Sequence, residues 1–165
     1  FYYSCGASVS EVKVDTFTGT YTVSRVDILH DVGESINPAI DVGQIEGGFI
    51  QGMGWLTTEE LVWGQDGRLQ TNGGASYKIP AVGDTPKQFN VALLKNSKNH
   101  EATIYHSKAV GEPPLMHGIS VWSALRDAIW AAGDEQTNPQ LNTPATPERV
   151  LWALEAVKAS IVGRV

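Results

Sequence analysis

Asn37-Pro38-Ala39-Ile40-Asp41-Val42-Gly43-Gln44-Ile45-Glu46-Gly47-Gly48-Phe49-Ile50-Gln51-Gly52-Met53-Gly54 begins as a helix and then works against itself. Asparagine is a strong N-cap, and proline suits the first helical position, where the missing N–H has no partner to lose. Ile40, Ile45, Phe49, Ile50 and Met53 carry the apolar pattern on to about Leu61 or Trp63. Gly43, Gly47, Gly48, Gly52 and Gly54 interrupt it. At about 0.8–1 kcal/mol per helical glycine relative to alanine, they remove about 4–5 kcal/mol of propensity, which something must offset. Glycines at this spacing clear a flat groove. Gln44 and Gln51 share a face roughly 10 Å apart along the axis, with Gly47 and Gly48 as a saddle between them. Two amides, each donor and acceptor, beside a bare saddle suit a flat heteroaromatic ligand. Tight packing against a neighbouring helix or strand explains the same glycines, and spacing alone leaves both readings open.

Before this helix, residues 5–15 alternate apolar and polar side chains, Thr16-Phe17-Thr18-Gly19-Thr20 supplies a reversal, and Tyr21, Val23, Val26 and Ile28 form a second β-rich run. This predicts a long antiparallel hairpin. Beyond the helix, short β-like runs fall at 68–71, 75–79 and 89–94, with Pro80 and Pro86 as breaks. A second helix is predicted over 114–132 and a third after Thr146-Pro147-Glu148. The fold class expected is α+β, antiparallel hairpins packed with about three helices in one unit with a frayed C-terminal tail.

The chain has 165 residues, 42% hydrophobic and 18% charged, enough for a core and too apolar for intrinsic disorder. A net charge of −6 argues against a phosphate-backbone partner. Cys5 is the lone cysteine, which excludes an internal disulfide, a zinc cluster or an iron–sulfur cluster and fits a cytoplasmic protein. No apolar run is long enough to span a membrane, and no secretory signal is visible. The chain begins with Phe1, and Phe1-Tyr2-Tyr3 reads as the inside of a strand, so a piece of a larger polypeptide or a processed subunit is expected.

Chemistry concentrates in Lys108-Ala109-Val110-Gly111-Glu112-Pro113-Pro114. A glutamate between a glycine and two prolines stands on a stiff backbone. Its flanks, Val110, Leu115 and Met116, are apolar enough to desolvate it into a useful base. The competing role is a helix-entry carboxylate favouring the dipole of a helix that starts at Pro114. Residue chemistry divides evenly between them. His30, His100, His106 and His117 lack metal-ligand spacing, and neither a Gly-x-Ser-x-Gly elbow nor a phosphate-binding loop occurs. The five tryptophans fall on or beside apolar helix faces, as core residues do.

Asp31-Val32-Gly33, Ser35 through Gly47, Tyr77-Lys78-Ile79-Pro80, Thr143 through Glu148 and above all Lys108 through Pro114 resemble the C-terminal part of the molybdenum-binding subunit of xanthine dehydrogenases. The resemblance covers nearly the whole chain. Related aldehyde oxidases carry Gly-Glu-Ser-Gly where this chain has Gly111-Glu112-Pro113-Pro114, so the purine-hydroxylating branch is the closer match. The resemblance implies that Glu112 is the general base of a purine hydroxylation, hypoxanthine or xanthine to urate, with oxygen derived from water. It also implies that Gln44 hydrogen-bonds the molybdenum-molybdopterin cofactor, with Gly47, Gly48, Val110 and Gly111 around it. The implied partners are the rest of the molybdenum-binding subunit, iron–sulfur and FAD domains or subunits and a dimeric assembly, with no nucleic acid or membrane. The family's other cofactor loops, its substrate-stacking phenylalanines and its substrate-orienting arginine and glutamate have no counterpart in residues 1–165. The chain is therefore expected to be the C-terminal part of a molybdopterin-binding domain, incomplete alone, one wall of an active site. An aldehyde oxidase-type hydroxylase and a structural or assembly module without an active site are the alternatives.

Overall fold

A computed structural model describes residues 1–162, and the frayed tail expected at the C-terminus falls on residues 163–165, outside the described residues. The fold is α+β: a three-stranded sheet and three α-helices. Strands β1 (Gly6–Val14) and β2 (Tyr21–His30) form the expected hairpin, pairing antiparallel from Val14↔Tyr21 to Gly6↔His30 with a bulge at Glu11/Val12. Gly19, at φ +72°, makes the reversal, and its open side lies against Pro147 and Leu151, where a Cβ would overlap the backbone.

The third strand departs from the expected hairpins. Strand β3 (Gln88–Leu93) lies parallel to β2, from Arg25↔Gln88 to His30↔Leu93, giving the order β1-β2-β3. Parallel neighbours need a long crossover. Residues 31–87 provide it, with helix α1 (Pro38–Thr57) inside. The runs at 68–71 and 75–79 are not strands: between them they form one isolated bridge, Trp63↔Leu69, because no strand lies alongside to complete a ladder. Phe1-Tyr2-Tyr3 is likewise irregular, and the strand starts at Gly6.

Asn37 accepts a hydrogen bond from Ile40 N and caps α1, with Pro38 in its first turn. The helix stops at Thr57, short of Leu61, because Thr58 and Glu59 both donate backbone N–H groups to Gly54 O while Pro80 closes over Gly54. The predicted 114–132 helix is two elements, a 3₁₀ helix at Pro113–Gly118 and α2 (Ile119–Ala131). Each residue that precedes a proline is disfavoured in the α region, so Glu112-Pro113-Pro114 does not open an ordinary α-turn easily. Helix α3 (Pro147–Val162) completes the layer.

Val23, Val26 and Ile28 point from β2 into a core shared with Ile45, Phe49 and Met53 of α1, Val121, Leu125 and Ile129 of α2, and Val150, Leu154 and Val157 of α3. Phe49 and Phe89 meet with ring centroids 5.2 Å apart, joining α1 to β3. No helix among the described residues is long and apolar enough to cross a membrane.

The glycines of α1 divide by face. Gly48 lies under Pro114 (3.0 Å from its would-be Cβ to Pro114 Cβ), Gly52 under the Leu115 carbonyl, and Gly118 against the Gly52 backbone, whereas nothing lies within 4 Å of a Cβ on Gly43 or Gly47. Gly52→Ala is therefore expected to lower stability by about 1–3 kcal/mol or more through overpacking. Gly47→Ala should raise it by up to about 1 kcal/mol through helix propensity. Thermal melts of the two variants check the contrast, and equal shifts would remove the packing explanation.

Candidate functional site

The segment 108–117 crosses the end of β2 and the glycine face of α1. Asp31, just beyond β2, is its anchor. Lys108 Nζ lies 2.5 Å from Asp31 Oδ2, with the two side chains 11% and 8% exposed. Ser97 Oγ and Gly33 N also donate to Asp31 Oδ1, at 2.5 and 2.8 Å. Burial pushes the Asp31 carboxyl up, but donation from Lys108, Ser97 and Gly33 outweighs it and holds the group below the usual carboxylate range. The backbone follows the side chains: Lys108 N donates to Val32 O at 2.7 Å, and Gly33 bridges Ser107. Gly33, at φ +67°, admits His106 O to 2.5 Å of where a Cβ would stand. On the other side, Ala109 N donates to the Tyr2 hydroxyl and Ser4 Oγ donates to Ala109 O.

Glu112 follows on this fixed base. Its backbone is right-handed helical (φ −106°, ψ −37°), a conformation that a following proline disfavours. Its carbonyl accepts from Leu115 N. Its side chain is exposed and makes no capping bond. Two expectations change here. The apolar flanks do not bury the carboxylate, because Val110 turns to the core, Leu115 is half-buried with its backbone against α1, and Met116 is itself exposed. The helix-entry role keeps its position but not a capping bond: Glu112 is the N-cap residue of the 3₁₀ helix that runs into α2, and its side chain caps no N–H.

Of the other expected site residues, Gln44 and Gly111 come together: a Cβ on Gly111 would sit 3.7 Å from Gln44 Oε1. Gly47 is on the open face, and Gln51 is exposed on the same helix. Gly48 is not part of that face, because Pro114 and Leu115 occupy its free side. Val110 is half-buried against the core. The arrangement is a bare helical strip beside an amide and a rigidly held, exposed carboxylate.

Sequence reasoning missed two buried pairs. Asp31–Lys108 had a signal: the seven acids and no base between residues 31 and 66 oblige any buried acid there to find its cation elsewhere. His30 and His117, 87 positions apart, had none. Their Nδ1 and Nε2 atoms are 2.8 Å apart, with the rings edge to face at 76°. Burial pushes the proton affinity of both rings down. Gly6 closes over them, since a Cβ there would meet His117 Cε1 at 2.6 Å. His117 O accepts from Ser8 and Ser120 hydroxyls.

A family model described as the molybdopterin cofactor-binding domain matches residues 1–86. The chain is 52% identical over 152 residues to the xanthine dehydrogenase/oxidase of Gallus gallus, covering 90% of this chain and 11% of that protein. It is 51% identical over 163 residues to the xanthine dehydrogenase of Oryza sativa subsp. japonica, covering 93% and 12%. The chain thus spans about an eighth or less of the length of these curated relatives. Quinoline 2-oxidoreductase from Pseudomonas putida 86 superposes with a TM-score of 0.77 at 27% identity, over 87% of this chain and 18% of that one. A Cu,Mo-CO dehydrogenase shares the fold, with a TM-score of 0.79 at 23% identity over 93% and 19%.

Removing one partner of a buried ion pair strands the other charge, so Lys108→Met should cost about 3–5 kcal/mol. The carboxyl is held below its ordinary value of 3.8, so its contribution is complete above that value and is lost as pH falls through the lower folded one. Wild type should therefore lose stability on acidification below about pH 4 more steeply than Asp31→Asn. Parallel acid melts check this, and superimposable curves would contradict it.

Proposed function

We propose that this chain, which belongs to the molybdopterin cofactor-binding domain family, forms one wall of the active site of a purine-oxidising molybdenum hydroxylase. The observation that carries the reading is the meeting of Gln44 with Gly111, immediately before the exposed Glu112 and beside the face that Gly43 and Gly47 leave bare. The donor set fits the cofactor: a carboxamide to bond a pterin, and a helix strip where no Cβ intrudes. About half identity to xanthine dehydrogenases of a bird and a plant supports the purine branch.

In this reading Gln44, Gly47, Val110 and Gly111 would hold the molybdopterin, while Gly48 serves by letting the Glu112 segment close on α1. When bound, the cofactor supplies a two-electron acceptor for oxidation of an electron-poor ring carbon. Glu112 takes, at a carboxylate oxygen, the proton of the water-derived hydroxyl that attacks that carbon. Its stiff backbone keeps the acceptor in place without reorganisation as the proton arrives. Exclusion of water from the carboxylate falls to the rest of the polypeptide and to the purine. Iron–sulfur and FAD centres, a dimeric assembly and a cytoplasmic setting belong to the same proposal.

Glu112→Gln keeps the shape of the side chain and removes its basicity. In the full-length enzyme it should leave molybdenum and pterin content near wild type and cut turnover about 10²- to 10⁴-fold. Steady-state rates within about threefold of wild type at saturating purine would overturn the base assignment. Gln44→Ala should lower pterin occupancy by the equivalent of about 1–3 kcal/mol, the loss of a buried polar partner. Gly47→Leu should lower it further by filling the strip. Cofactor analysis of these variants is the check, and unchanged content would make α1 a packing element only.

A further inference from the structure

Two consecutive residues at the end of β2 grip the Glu112 segment on both sides. Asp31 holds Lys108, four residues before Glu112, and His30 holds His117, five residues after it. We propose that His30 and Asp31 are positioning residues, a two-point buckle that fixes residues 108–117 and so sets where Glu112 stands, with the histidine half released by acid. The proposal rests on the reading of Glu112 as the proton acceptor.

The geometry carries it. His30, Asp31 and His117 are buried and the Lys108 side chain is 11% exposed, and each pair joins the end of β2 to a different end of one short segment. Between the two fastenings lie a glycine and two prolines, which transmit a shift at either end to Glu112 with little slack. The two halves differ in chemistry. An ion pair persists across the neutral range, but an N–H···N bond between imidazoles needs one ring nitrogen free to accept. A doubly protonated His30 carries an N–H on both ring nitrogens, and its Nε2 has no partner among the described residues. Burial, then the other ring, and Lys108 disfavour charge on His30, and Asp31 opposes them. The remaining titratable groups near the rings are Cys5 and Asp127, lining the open groove of about 1000 Å³ in front of them. Because the folded pair binds protons less readily than an unfolded histidine at 6.5, its contribution is complete above that pH and declines as pH falls below it. The Asp31 half fails only below 3.8, so the two windows separate.

The test is hydrogen exchange in peptides covering residues 108–117 of the full-length protein, at about pH 7.5 and about pH 5.5, together with steady-state kinetics. Wild type, His117→Leu and the double variant His30→Met/His117→Leu are compared. His117→Leu leaves His30 with both nitrogens unpaired and should speed exchange about tenfold at pH 7.5, lowering kcat with KM within about twofold. The double variant replaces both polar partners with apolar side chains, so its exchange should return toward wild type and lose the acid-induced loosening. Equal exchange in wild type and His117→Leu, or acid loosening undiminished in the double variant, would overturn the buckle. If His117→Leu fails to fold, the pH comparison between wild type and the double variant decides alone. Glu112→Gln separates the two readings: turnover near wild type would remove the base while leaving the exchange result intact.

Discussion

The Asp31–Lys108 ion pair is the constraint on which the site depends. It is mostly desolvated, and a pair so placed is stable only when its remaining hydrogen-bonding capacity is met. Ser97 and the Gly33 N–H meet it on the acid, and the Lys108 backbone bond to Val32 O fixes the direction in which the chain leaves. Everything after Lys108 inherits that direction. Val110 turns into the core, Gly111 passes beside Gln44, and Pro114 settles on Gly48. A buried charge pair here contributes register more than free energy, because one lysine and one aspartate can mate in only one alignment of the segment.

The glycines of α1 resolve a conflict that propensity alone leaves unexplained. Gly48 and Gly52 are compensated by close contact with the 3₁₀ helix and with the backbone around Gly118, so their cost in helix propensity is offset by packing. Gly43 and Gly47 touch nothing and recover nothing. Residues that cost stability without packing in return are expected where a fold leaves room for function. The open pair of glycines sits on the same helix, on a face about 100° round from that of the packed ones, and so the helix that stabilises the Glu112 segment also presents the strip beside it.

How much of this was legible in the sequence varies with the range of the interaction. The hairpin, the Asn37-Pro38 helix start and the stiffness around Glu112 are local, and local rules found them. The parallel placement of β3 was not, since strand direction depends on a crossover that periodicity cannot see. Runs at 68–71 and 75–79 have strand composition but no neighbour, and composition without a partner does not make a sheet. The two faces of α1 could be told apart only by knowing what arrives at each. His30 and His117 illustrate the limit most plainly: an isolated histidine in an alternating strand and another after two prolines carry no mark of each other.

Glu112 combines two properties that rarely coincide. Its backbone is fixed at both ends and held in a pre-proline conformation that an unconstrained chain avoids. Its side chain is exposed and has no partner among the described residues. A carboxylate needed only for stability would be expected to bond its own helix or a nearby cation, as Asp31 does. A rigidly held acid with no partner of its own is what the proposed proton-accepting role requires. Met116 and Ile119, which follow it in the chain, are exposed at 61% and 43%. On the proposed reading the chain supplies the fixed acid, and the dry environment that a base requires would come from the rest of the polypeptide and the purine.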